Sequence, residues 1–156
     1  LELISGFGAA SLNRLDVNRL QVARYQEEIA KGRKIPVCGI SDTHGVENSD
    51  AFGRYYTVCF APTPELADLI ASIKCLNSVA VEAVNGELPR AYGPFRLVQY
   101  TQFLLREVFP QHDELCFEEG RLMIQYAAGE PTAAERLRLC QGQVARFYQT
   151  VWGLDK

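Results

Sequence analysis

Ile35-Pro36-Val37-Cys38-Gly39-Ile40-Ser41-Asp42-Thr43-His44-Gly45 is a short apolar run that ends in a carboxylate and an imidazole, with a glycine after them. Alternate residues of an extended strand end point the same way, so Asp42 and His44 are expected to face one pocket. A hard oxygen donor beside a nitrogen donor is a pair that a divalent metal uses. The plainer alternative is a turn in which Asp42 caps backbone amides and His44 lies on the surface.

The elements around this stretch follow from periodicity and punctuation. Leu1 to Ser5 reads as a strand, ended by the loop Gly6-Phe7-Gly8. A helix is expected from about Asn13 to Lys31, capped by Asn13 or Asp16, closed by Gly32, and apolar along Leu12, Leu15, Leu20, Ala23 and Ile29. With the strand Ile35–Ile40 this makes a βαβ unit, which implies parallel strands. Arg54 to Ala61 is aromatic and β-branched, hence a third strand. Thr63-Pro64-Glu65 starts a helix that buries Leu66, Leu69, Ile70 and Ile73. Ser78 to Val84 alternates as a fourth strand, closed by Asn85-Gly86.

From Pro94 onward only helices are expected. One runs from Phe95 to Phe109, with Leu97, Thr101, Leu104, Leu105 and Val108 on one side, and Pro110 ends it. A second, about Asp113 to Ala127, turns Leu115, Cys116, Leu122, Met123 and Tyr126 inward. Thr132 caps a last helix with Leu137, Val144, Phe147, Tyr148 and Val151 as its stripe.

The chain has 156 residues, 47% of them hydrophobic and 22% charged, which is ordinary globular composition for one domain's length. A net charge of −3 argues against a general nucleic-acid binder, which carries a basic face. No apolar run reaches the roughly 20 residues of a bilayer span, and no signal peptide is visible, so the expected location is cytoplasmic. The five cysteines, Cys38, Cys59, Cys75, Cys116 and Cys140, are widely spaced in apolar segments and read as buried free thiols. The chain opens at Leu1 inside a strand-like run and reads as the C-terminal portion of a longer protein.

Gly39-Ile40-Ser41-Asp42-Thr43-His44-Gly45 resembles the last motif of the polymerase and histidinol phosphatase (PHP) family of metal-dependent phosphoesterases. The resemblance covers roughly residues 1 to 84 and follows the family's order of strand, helix, motif strand and a Tyr56-Thr57 strand. It implies an α/β fold: the C-terminal part of a distorted (β/α)₇, TIM-like barrel at residues 1–84, with about four strands, and an all-helical segment at 85–156. It also implies that Asp42 and His44 ligate ions of a cluster of two or three divalent metals, zinc, manganese or iron. The substrate class implied is a phosphorylated small molecule, a nucleotide or a DNA end. The chain departs from the family in lacking its His-x-His first motif; only His44 and His112 are present. Asp42 and His44 alone would therefore bind metal weakly, and this chain by itself is expected to be inactive.

Other constellations carry less. Arg54, following Phe52-Gly53, offers a guanidinium fork that suits a phosphate, or is a strand residue in a salt bridge. His112-Asp113-Glu114 with Cys116 places two possible ligands on one helix face, although acidic residues there also suit a helix N-terminus. Gly6-Phe7-Gly8 lacks the third glycine of a dinucleotide fingerprint. No Walker motif, nucleophile elbow, or serine or cysteine with a positioned histidine is apparent. Beside the enzyme stands a second expectation, a binding or assembly module whose C-terminal helices dock a partner while the metal motif is vestigial. Four strands cannot close a seven-stranded barrel. An open sheet covered by helices, or pairing with a second copy or with the missing N-terminal part, is expected.

Overall fold

Strands β1 (Glu2–Ile4) and β2 (Cys38–Ile40) pair in parallel, Leu3 opposite Gly39, with helix α1 (Ala10–Ala30) as the crossover. The computed structural model describes residues 2–4, 10–41, 53–84 and 88–153. The loops at Gly6-Phe7-Gly8, at Asp42 to Phe52 and at Asn85-Gly86 lie outside those residues, as do the side chains of Leu12, Asn13, Leu15 and Asp16. The expected βαβ unit is therefore present. Gly32 ends α1 at φ +83°, where its N–H reaches Ile29 O at 2.9 Å and Arg33 N–H reaches Glu28 O at 3.1 Å. Glycine takes that left-handed turn at no steric cost.

Among the described side chains of α1, from Asn18 onward, the buried face is not the expected stripe. Leu20 is 72% exposed, and Ala23 and Ile29 also face solvent. Asn18 and Glu28 are buried, with Val22 and Tyr25 partly buried between them, at helical spacing. Both polar residues have partners. Asn18 hydrogen-bonds Tyr55, and Arg24 Nη2 lies 2.8 Å from Glu28 Oε1. Arg33 Nη1 approaches Glu28 Oε2 to 2.7 Å, ion-paired but off the hydrogen-bonding direction. Burial of a charge is tolerated when it is paired in this way.

Strands β3 (Tyr55–Cys59), β4 (Ser78–Glu82) and β5 (Arg90–Tyr92) form an antiparallel sheet in that order, Tyr55 opposite Glu82 and Glu82 opposite Arg90. The fold is thus mixed α/β, with a parallel pair and a separate antiparallel sheet. All five residues of β4 are buried, so it does not alternate as expected but is covered on both faces. β5 was not expected, and residues beyond 84 therefore begin with a strand. Helix α2 (Leu66–Lys74) buries Ser72, whose hydroxyl donates to Phe60 O, whereas Leu66 and Ile70 are exposed. The Thr63 hydroxyl accepts Glu65 N–H at 3.3 Å and donates to Asp68. Val37, Tyr55 and Ala80 make the core, packed by Val22, Tyr25 and Tyr92.

These elements, with most of helix α3 (Phe95–Phe103), form one compact unit, Leu1–Gln102; Phe103–Lys156 forms a second. The expected break at Pro110 is absent. In the second unit a π-helical segment, Leu104–Val108, leads into α4 (Phe109–Ala127), with Pro110 in its first turn. Proline has no N–H and fits only there. The side-chain amide of Gln111 donates to Glu107 O at 2.7 Å and satisfies a carbonyl at this irregularity.

The expected last helix is two, α5 (Ala133–Cys140) and α6 (Gln143–Trp152), separated at Gly142 with φ +73°. Thr132 stands at the start of α5 without a side-chain capping bond. In the second unit, α4 packs on α5 and α6, and Leu104, Val108, Leu122, Ala133 and Cys140 are buried. Cys116, Met123 and Tyr126 are exposed, contrary to the inward stripe read from sequence. All five cysteines are free, but only Cys140 is fully buried, and Cys75 and Cys116 are exposed. No helix among the described residues is long and apolar enough to cross a membrane.

Candidate functional site

The strand that leads into Asp42 is fixed by hydroxyls of β3 and β4 and crowded by the β3 backbone. Gly39 N–H donates to Thr57 Oγ1 at 3.0 Å, and the same hydroxyl donates to Gly39 O at 2.9 Å. A side chain has no room there, since a Cβ at Gly39 would sit 2.5 Å from Tyr56 O. Two residues earlier, the Ser78 hydroxyl donates to Val37 O at 2.9 Å. Val37 thus lies by the start of β4, and Gly39 lies beside Tyr56 and Thr57, whose β4 partners are Val81 and Ala80. β2 therefore advances in the direction of β4, towards the edge where β3 begins. Arg54 and Glu82 stand at that edge.

Arg54 precedes β3 and is half-buried, and its Nε is buried without a hydrogen-bond partner among the described residues. Its carbonyl accepts Ala83 N–H at 2.6 Å, which fixes its backbone to the end of β4. A buried guanidinium donor left open is an unusual cost in a folded protein. It suits an anion. Asp42 and His44 lie outside the described residues, directly beyond Ser41, so the structure describes Arg54 alone of the three expected site residues.

Sequence reasoning missed the charged centre of this edge. Glu82 is buried at the end of β4, and each of its oxygens accepts one phenol: Tyr55 Oη at 3.0 Å on Oε1 and Tyr92 Oη at 2.9 Å on Oε2. Burial pushes the Tyr55 hydroxyl up to about 12, the Glu82 charge adding to it and the Asn18 hydrogen bond opposing it. Tyr92 is pushed up to about 12 by the same two causes, against Arg90. Both phenols therefore stay protonated and donate. The arrangement holds a carboxylate in the interior and ties three strand positions together. A signal for it existed: Glu82 closes an otherwise uncharged strand, where a carboxylate needs a partner. Tyr92 also lines an open, mostly apolar cavity of about 510 Å³, with Tyr25, Ile29, Pro94, Phe95 and Val98.

In the second unit, His112 and Cys116 do meet. Cys116 Sγ is 3.4 Å from His112 Nε2, and Tyr148 Oη is 3.1 Å from His112 Nδ1. The expectation that no cysteine has a positioned histidine is thus overturned. Spacing of four residues on one helix carried the signal, but the orienting tyrosine comes from α6 and was not legible. Asp113 and Glu114 do not join as ligands, for no three His, Cys, Asp or Glu side chains converge as a metal site among the described residues.

No family model, no curated protein and no solved structure matches the chain.

Proposed function

We propose that this chain is the C-terminal part of a PHP-like metal-dependent phosphoesterase, residues 1–84 belonging to its barrel. In this reading Asp42 and His44 are metal ligands and Arg54 is a phosphate contact. The observation that carries it is the edge itself. β2 is pinned through Gly39 and Thr57 so that its end runs towards Arg54, whose Nε is buried without a hydrogen-bond partner among the described residues. The parallel β1–α1–β2 unit is the repeat from which (β/α) barrels are made. The antiparallel β3–β4–β5 sheet is not such a repeat, and only the first unit's parallel half supports the barrel.

A divalent ion at such a site supplies a water of lowered pKa as the nucleophile. The chain's own residues do the rest. In this reading Asp42 and His44, two positions apart in the sequence just after β2, would supply part of a ligand set, and the remaining ligands would come from an N-terminal part of the protein or from a second copy. Arg54 donates to a phosphate oxygen and holds the ester against that face. The test uses the chain extended upstream, assayed for metal content and for hydrolysis of simple phosphate monoesters. Asp42→Ala and His44→Ala are expected to lose both, and Arg54→Lys to raise KM with metal content unchanged. Full metal content and turnover in the alanine variants would sink the ligand assignment.

An assembly role for the helices is the second reading, favoured by Phe117 and Ile124, seven residues apart on α4 and 77% and 74% exposed. Residues seven apart share one face of a helix, and a contiguous exposed apolar patch, unlike a single exposed residue, marks an interaction site. It predicts self-association that Phe117→Asp and Ile124→Asp abolish in sedimentation. A strictly monomeric wild type counts against it.

A further inference from the structure

The Cys116–His112–Tyr148 constellation is independent of the phosphoesterase edge. Cys116 and His112 stand one turn apart on α4, and His112 is partly exposed beside the exposed thiol. A surface histidine on a helix ordinarily samples several rotamers. This one is held from another element, because Tyr148 of α6 contacts its Nδ1 at 3.1 Å and its ring at 5.6 Å between centroids. Phe147 backs that tyrosine at 5.3 Å. The bond made at one imidazole nitrogen decides what the other can do. With Nδ1–H donating to Tyr148 Oη, the Nε2 lone pair faces the thiol. This is the order nucleophile, base, orienting group found in activated cysteines.

We propose that Cys116 is a histidine-activated thiol that exchanges with low-molecular-weight disulfides of the glutathione type. The Cys116 S–H proton passes to His112 Nε2, and the thiolate attacks one sulfur of the disulfide. The disulfide's S–S bond breaks as a new one forms to Cys116. The departing thiolate takes the proton back from His112 and leaves as a thiol. The Cys116 sulfur is oxidised, the departing sulfur is reduced, and no other reactant is needed.

Asp113 acts on Tyr148, which burial and the neighbouring Cys116 and Asp113 charges hold above its ordinary value, so the phenol remains a neutral partner. Glu118, on the next turn, is occupied by Arg121 at 2.7 Å and by Arg136 of α5 at 3.1 Å.

Cys75, exposed in the first unit, is the internal reference. The intact chain is treated with oxidised glutathione and, separately, with iodoacetamide, and modification of each cysteine peptide is followed by mass spectrometry across pH. Cys116 is expected to react at least about tenfold faster than Cys75 at neutral pH, a floor below the roughly 100- to 10,000-fold that a positioned base contributes. Its pH profile should carry an inflection from the imidazole that Cys75 lacks. His112→Gln should bring the Cys116 rate to that of Cys75 and remove the inflection, with helix content unchanged by circular dichroism. Tyr148→Phe, which keeps the ring, should lower the rate and shift the inflection if Tyr148 is a positioning residue. Equal rates and equal profiles for Cys116 and Cys75, or a His112→Gln protein that reacts as wild type does, overturn the proposal.

Discussion

At position 39 a single methyl group decides whether β2 can stay where it is, since the Cβ would meet Tyr56 O at 2.5 Å and the obstacle is backbone. Gly39→Ala is therefore expected to destabilise the chain by about 1–3 kcal/mol, the usual cost of overpacking, seen as a lower urea midpoint. Gly120 is the opposite case, a glycine inside α4 with nothing within 4 Å of a Cβ. Gly120→Ala should raise the midpoint, by about 1 kcal/mol of helix propensity. If both substitutions act alike, crowding at Gly39 is not what holds β2. Tyr55 and Tyr92 give a pH dependence at the same scale. Below the ordinary value of 10.0 both phenols are protonated in the folded and unfolded chain, and their contribution is intact. Above it the unfolded chain gives up protons first, so stability falls as pH rises towards about 12. Urea midpoints measured through that window should decline in wild type and less steeply in Tyr92→Phe. An unchanged slope in the variant would remove Tyr92 from the linkage.

Elements ended by glycine are where element-scale change is cheapest to test. Gly142 separates α5 from α6 at φ +73°, a conformation that costs an L-residue about 1–2 kcal/mol. Gly142→Ala should lower thermal stability by that order and Gly142→Asn by less, because asparagine tolerates the left-handed region. Equal losses would mean that the contact with Arg146, 3.2 Å from a Cβ there, matters more than the turn. The same feature shows what the sequence conveys and what it hides. The βαβ unit was legible because a long run of helix formers ends at Gly32 and an apolar run follows it. The division of the last helix was not, because an apolar stripe at helical spacing runs on either side of Gly142. The buried face of α1 was misread for a different reason. Asn18 and Glu28 are inside because Tyr55, Arg24 and Arg33 meet them, and partners distant in sequence leave no periodic trace. β5 is three residues long and carries an arginine, too little for any pattern. At the candidate edge, Arg54 could be singled out by its position after a glycine. Glu82 showed only as a charge closing an uncharged strand, and what makes it central, two phenols brought by folding, left no trace in the sequence.

Over the whole molecule the histidines limit what the chain can hold. His44 and His112 are its only two, and His112 belongs to the second unit, where both ring nitrogens face Tyr148 and Cys116. In the first unit the buried carboxylate at the candidate edge, Glu82, already accepts a phenol on each oxygen. Binding a metal through it would break one of those bonds and leave a buried hydroxyl without its acceptor, at a cost of about 1–3 kcal/mol. The proposed pair Asp42 and His44 is then left with few helpers from this chain, whereas a catalytic divalent site draws on three or more protein ligands. Titration of the 156-residue chain with zinc or manganese, followed by calorimetry, should accordingly show weak binding, with a Kd well above about 1 μM (about −8 kcal/mol). His44→Ala should weaken it further, whereas Glu82→Gln should lower stability and leave the metal isotherm as it was. Tight binding in the wild-type chain that Glu82→Gln abolishes would reverse the assignment. It would make the two-tyrosine carboxylate the metal centre and the Asp42–His44 pair a turn.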